Sequence, residues 1–137
     1  MSIFSLKIIA SDKVFFDGKC NLLIIPGIDG QMGVMAHHLN MITAVDVGEI
    51  RFETEDGIEH KAVVGKGFAQ MMNNRVTVFV ETAERPEDVD VKRAKEAKER
   101  ALEQLRQKQS IKEHYHTQAS LARAMTRLKV TGGKYYL

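Results

Sequence analysis

The chain has 137 residues, 44% of them hydrophobic and 28% charged, which is the make-up of a globular protein of one-domain size and excludes a disordered chain. No apolar run approaches the roughly 20 residues of a membrane helix, and the opening MSIFSLKIIASD has neither the basic start nor the long apolar core of a signal peptide; the chain is therefore expected to be mature and cytosolic. The single cysteine, Cys20, excludes an internal disulfide, no Cys/His cluster has zinc spacing, and the net charge of +2 hides a split in which no acid follows Glu113 while Arg123, Arg127, Lys129 and Lys134 remain.

Up to about Glu81 the apolar residues alternate with period two and are punctuated by turn residues. Apolar stretches lie at FSLKIIA, KVFFDG, NLLIIPG and MITAVDVGE. IRFETEDGIEHKAVVG then sets Ile50, Phe52 and Thr54 on one face, follows them with Glu55-Asp56-Gly57, and continues with Ile58, His60, Ala62 and Val64. That is a hairpin, because Asp-Gly supplies the positive φ of a tight turn between twisted strands. QMMNNRVTVFVET repeats the pattern with Asn73-Asn74 as the turn. Many short strands at this spacing predict an antiparallel sandwich or barrel.

After Arg85-Pro86 the period becomes helical. Val91, Ala94, Ala101, Leu102 and Leu105 recur at steps of three and four, with Pro86 at the boundary and Asp88 or Asp90 able to cap the first turn. A second helical pattern runs through Ile111, Tyr115, Ala122, Met125 and Leu128, and Gly132-Gly133 stops it. The expected result is an α+β chain: an antiparallel β-sandwich over residues 1–85 and an antiparallel two-helix hairpin over 86–137. The hairpin's contact stripe is rich in alanine, so it buries little apolar area and is marginal alone. It is expected either to dock on the β domain or to change conformation with a partner.

Several residue groups invite a chemical reading. PGIDGQMG lacks the Gly-Lys-Ser/Thr ending of a phosphate loop and precedes no helix, so it reads as a turn in the sandwich. His37 and His38 are adjacent, and neighbours on a strand point to opposite faces, which argues against a shared metal. No nucleophile and base stand in a recognisable motif, so catalytic residues are expected to be none. Arg100 lies seven residues beyond Arg93 on one helix face, and Arg123 and Arg127 are four apart on another. If the helices pack antiparallel, the four guanidinium groups can converge on a polyphosphate, which their forked donors suit. The same stretch also reads as a plain helix start, with Asp90 as cap and Arg93 paired to it at i+3.

Nearly the whole chain resembles the epsilon subunit of the F-type ATP synthase, bacterial type. The resemblance is carried by FSLKIIASDKVFFDGKC, PGIDGQMGVMAHH, GEI, VVGKGFAQMMNNRVTVFVETAE and VDVKRAKEA, with HLN replacing a frequent histidine-proline. It implies about ten strands and a two-helix hairpin. It implies a rotor place, coupling ion translocation to ATP synthesis: the sandwich binds the gamma subunit and the c-ring, with Ile28, Asp29, Gly30, Gln31, Met32 and His38 as contacts. The hairpin would extend toward the alpha and beta subunits and inhibit ATP hydrolysis, with Arg123, Arg127, Lys129 and Lys134 as basic contacts. It further implies a regulatory ATP site at Glu84, Val89, Asp90, Arg93, Ala94, Arg100, Arg123 and Arg127, where Val89 replaces a larger aliphatic residue. The implied setting is peripheral, at the cytoplasmic face of the cell membrane, with ATP as a ligand and no catalytic cofactor or metal. The competing expectation is a small basic-tailed module for nucleic acid or another acidic partner; the lack of interleaved aromatics and the non-basic β half weigh against it.

Overall fold

The computed structural model describes residues 2–106 and 111–131, with side chains for 2–106 and 116–131. It divides into two compact units, 1–84 and 85–137. The first unit contains β1 (Phe4–Ile9), β2 (Val14–Gly27), β3 (Gly30–Val34), β4 (Met41–Val45), β5 (Gly48–Thr54), β6 (Glu59–Val64), β7 (Gly67–Met72), β8 (Arg75–Val80) and β9 (Ala83–Glu84).

The two stretches KVFFDG and NLLIIPG form one long strand, β2. Its first half pairs with β1 and its second half with β3 and β5, and the register shifts between Cys20 and Leu22. A bulge of this kind bends a strand and raises its twist, which lets one strand serve two layers. One layer runs β4-β7-β8-β1-β2 and the other β3-β2-β5-β6-β9, so that β2 counted in both gives the ten strands that the resemblance implies. Every pairing is antiparallel except β1 with β8.

The inward residues of both layers, among them Phe4, Leu6, Ile8, Leu23, Ile25, Ile50 and Val78, form one buried cluster. Cys20 belongs to it, and burial pushes its thiol up to about 12. At that value the thiolate is negligible at neutral pH, so the residue acts as a small apolar side chain.

The two turns read from sequence form as expected. Ile50 pairs with Ala62 and Phe52 with His60, with Gly57 at φ 83° in the turn between them. Asn73 and Asn74 both have positive φ, the requirement of a two-residue hairpin turn. In the first turn Asp56 accepts hydrogen bonds from the Thr54 hydroxyl and the Ile58 amide, and these hold its carboxyl below the usual 3.8. A carboxylate with a depressed folded value stabilises above 3.8, and that contribution is lost as pH falls through the lower folded value. The Ile58 amide is therefore expected to lose protection, taken relative to its intrinsic exchange rate at each pH, as acid is added below 3.8, while the Asn73-Asn74 turn, which has no such carboxylate, does not follow. Protection factors measured across that range check it, and equal loss of protection at both turns would contradict it.

Asn74 also ties two loops together. Its Oδ1 accepts the His37 amide at 2.7 Å, its Nδ2 donates to the Ile3 carbonyl at 3.0 Å, and Asn40 Oδ1 accepts the Asn73 amide at 3.0 Å. The β3–β4 loop is thereby fastened to the β7–β8 turn.

The second unit holds a 3-10 turn (Pro86–Asp88), α1 (Val91–Arg106) and α2 (Ile111–Val130). The expected stop at Gly132-Gly133 lies outside the described residues. Ala94, Lys98 and Ala101 make the buried stripe of α1, and Thr117, Ala124, Leu128 and Val130 are buried on α2. Small residues let the helices approach closely and bury little area. No described helix is long and apolar enough to cross a membrane.

Candidate functional site

The hairpin's first turn shows how the residues before α1 are used. Val89 is buried in extended conformation (φ −74°, ψ 122°) and its amide closes the 3-10 turn on the Pro86 carbonyl at 3.2 Å. Asp90 then caps α1: its Oδ1 accepts the Arg93 amide at 3.1 Å, and its carbonyl accepts the Ala94 amide at 2.9 Å. This satisfies an amide that the helix itself leaves without a partner. The contact from Arg93 to Asp90 thus runs through the backbone.

Arg93 and Arg100 are exposed on α1, where Arg100 Nε donates to the Glu96 carbonyl at 3.4 Å. Arg123 and Arg127 are half-buried on α2, and the Nε atom of Arg123 is itself buried. The register between the helices follows from Thr117, whose hydroxyl donates to Gln104 Oε1 at 3.4 Å. In an antiparallel pair with equal rise, stepping from Gln104 back to Arg93 carries the partner position from Thr117 forward to Leu128, beside Arg127. By the same step Arg100 comes level with Leu121, about 3 Å of axial rise from Arg123. Arg93 and Arg127 thus stand level at the end away from the α1–α2 connection, and Arg100 and Arg123 stand level about 10 Å nearer to it, towards the middle of the hairpin. Ala94 is buried on α1. Glu84 is half-buried at the end of β9 and belongs to the sandwich unit. Lys129 is exposed in the last turn of α2, and Lys134 lies outside the described residues.

In the sandwich unit, Gly27 pairs with Gly30, leaving Ile28 and Asp29 as a two-residue tip. PGIDGQMG thus joins two strands, as expected of a turn. Ile28 is exposed at this tip, Gln31 is exposed on β3 and Met32 packs partly against the core. His37 and His38 are in the β3–β4 loop and not in a strand, so the opposite-face argument made from sequence does not apply to them. His37 has φ 63°, and His38 Nδ1 lies 3.0 Å from the Leu39 carbonyl, which can only accept.

The sequence reading missed a further surface. Cross-strand pairs Ile42–Gln70, Ala44–Phe68, Phe68–Phe79, Gln70–Thr77 and Met72–Arg75 put these side chains on the outer face of β4, β7 and β8. Ile42, Phe68 and Met72 are 67%, 44% and 48% exposed, and Phe68 stacks on Phe79 with ring centroids 4.9 Å apart. The outer face of a sandwich is ordinarily polar, and a run of large apolar groups there marks a place where something docks. The signal was present in GFAQMM, where each alternating set carries a large apolar residue, Met71 in one and Phe68 and Met72 in the other.

Comparison with known proteins covers both units. Residues 3–86 match the family described as ATP synthase, Delta/Epsilon chain, beta-sandwich domain, and residues 87–132 match its long alpha-helix domain. The chain belongs to the ATP synthase delta/epsilon chain family. It is 42% identical over 131 residues to the ATP synthase epsilon chain of Ruminiclostridium cellulolyticum, covering 96% of this chain and 97% of that one. It is 36% identical over 127 residues to the epsilon chain of Nitratidesulfovibrio vulgaris, covering 93% and 94%. In fold it resembles a chain of the Euglena gracilis mitochondrial ATP synthase OSCP/F1/c-ring assembly, with a TM-score of 0.74 at 22% identity over 85% of this chain and 74% of that one. A chain of the Tetrahymena thermophila mitochondrial central stalk/c-ring gives 0.69 at 9% identity over 93% and 95%.

The two family matches meet after Pro86. The alternative of a nucleic-acid or acidic-partner module finds no support in these matches. Membership accounts for an outward apolar face, since an assembly subunit must leave apolar area for its neighbours.

Proposed function

We propose that this chain is the non-catalytic central-stalk subunit of an F-type ATP synthase, held at the cytoplasmic face of the cell membrane through the complex. Its sandwich binds the gamma subunit through the outer face of β4, β7 and β8, and the c-ring through the tip at Ile28–Met32. Its hairpin restrains ATP hydrolysis when it extends toward the alpha and beta subunits, where Arg123, Arg127, Lys129 and Lys134 make basic contacts. ATP bound to the folded hairpin is the sensor: a ligand and not a substrate.

The observation that carries the regulatory part is the register that sets Arg93 level with Arg127 and Arg100 level with Arg123, two turns apart along a hairpin with an alanine-rich buried stripe. Like charges oppose one another in the folded hairpin, and a polyphosphate between them reverses the sign. A ligand shifts a population only by its preference for one state, and at 100 times its Kd it adds roughly 2.7 kcal/mol, enough to bias a marginal helix pair. High ATP then keeps the hairpin folded, and low ATP releases it.

Titration of the isolated chain with ATP by calorimetry tests this, and no heat at millimolar ATP would remove the sensor while leaving the rotor assignment. Two variants separate the roles of Asp90 and Arg93. Arg93→Gln is expected to weaken ATP binding at least about tenfold, or about 1.4 kcal/mol, with helix content unchanged, because its backbone amide still meets the cap. Asp90→Ala is expected to lower helix stability by about 1 kcal/mol even without ATP, since the Arg93 amide loses its acceptor. Circular dichroism alongside calorimetry reads both, and equal ATP affinity of Arg93→Gln and the unaltered chain would refute the arginine site.

A further inference from the structure

Five of the seven methionines, Met32, Met35, Met41, Met71 and Met72, come from β3, the β3–β4 loop, β4 and β7. The fold sorts them by depth. Met41 pairs directly with Met71 on the core side, where Met71 is 2% exposed, whereas Met35 is 64% exposed and Met72 48%. Met35, Met71, Met72 and His38 line one small cavity at this corner, below the Asn74 ties. Met72 also belongs to the outer apolar face with Ile42 and Phe68.

We propose that Met35 and Met72 form a modification site, oxidised by a peroxide to methionine sulfoxide, and that this modification turns off the docking face to which Met72 belongs and beside which Met35 lines the shared cavity. The inference rests on the reading that this face binds the gamma subunit. In the reaction a thioether lone pair attacks one peroxide oxygen, the S–O bond forms as the O–O bond breaks, and the proton on the transferred oxygen leaves with the departing hydroxide as water. Sulfur is oxidised by two electrons and the peroxide is reduced.

The surroundings favour the product at Met72. Gln70 Nε2 lies 3.9 Å from its sulfur, and Arg75 is its cross-strand partner; both residues line the same groove with it. A thioether sulfur is a weak acceptor and a sulfoxide oxygen a strong one, so these donors gain a better partner on oxidation. The same oxygen makes an apolar contact surface polar and chiral, which a dry partner surface does not tolerate. Burial shields Met71, which serves as an internal reference.

The full-length chain treated with hydrogen peroxide and mapped by peptide mass spectrometry tests the chemistry, with binding to purified gamma subunit measured before and after. Met35 and Met72 are expected to gain oxygen at least about tenfold faster than Met71, and gamma binding to weaken at least about tenfold. Methionine sulfoxide reductase should restore it. The Met35→Leu/Met72→Leu variant, compared with its own untreated sample, should change less than twofold on peroxide treatment. Oxidation of Met71 as fast as Met72, or gamma binding that survives complete oxidation of Met35 and Met72, overturns the proposal alone. Failure of the untreated chain to bind gamma overturns the docking reading and the switch with it.

Discussion

Gly67→Ala is expected to destabilise the sandwich by about 3 kcal/mol, the upper end of what overpacking costs. A Cβ at this position would stand 1.7 Å from the Phe79 carbonyl oxygen, 2.7 Å from its carbon and 2.8 Å from Val80 Cα. All three are main-chain atoms of β8, so no rotamer change relieves them. Nor can β7 simply move away, because Gly67 pairs with Val80 on one side and with Val45 of β4 on the other. A loss of this size is a large part of the roughly 5–15 kcal/mol that holds a domain folded. Gly33→Ala is the control, since a Cβ there meets nothing within 4 Å, and its effect should stay within about 0.5 kcal/mol. Urea unfolding of both variants decides the matter; a Gly67→Ala midpoint equal to that of the unaltered chain would mean that the strands separate freely.

Gly67 also marks where sequence reading stops. VVGKGF was visible as part of the resemblance, yet the reason for its second glycine is a contact with a strand twelve residues on. Features fixed by near neighbours were legible: the Asp-Gly and Asn-Asn turns, the change of period after Pro86, and the spacings Arg93–Arg100 and Arg123–Arg127. Features fixed by pairing were not. The bulge that lets β2 serve two layers depends on which partners flank each half, and KVFFDG and NLLIIPG look like separate strands without that knowledge. The outer apolar face escaped notice because Phe68 and Met72 alternate with Ala69 and Met71, so period two gave the phase but not which set turns inward. His37 and His38 were read as strand neighbours, but Asn74 pins them into a loop in which His37 takes a left-handed backbone. In the hairpin, spacing placed the arginines on faces, and only the Thr117–Gln104 contact brought the two pairs level.

That pairing of arginines across the helices has its counterpart in packing, because Leu128 is the hairpin's one large side chain, among those described, that is fully buried. Ala94, Ala101 and Ala124 add little area each. Leu128→Ala removes the largest buried group and leaves a cavity that a pair of helices fills only partly, at a cost of roughly 3–5 kcal/mol. Two helices of this length are marginal even when packed, so the expected result is loss of most of the helical signal in far-ultraviolet circular dichroism. The sandwich has its own buried cluster, which does not include Leu128, and its urea transition should persist. If the paired arginines take ATP, saturating nucleotide should recover much of the lost helix, because roughly 2.7 kcal/mol of binding at 100 times Kd is nearly the lower end of the packing loss. Recovery by ATP but not by adenosine locates the effect in the phosphates. An unchanged helical signal in Leu128→Ala would show that the hairpin is not marginal, and a population shift driven by ATP would then lack the bistable element it requires.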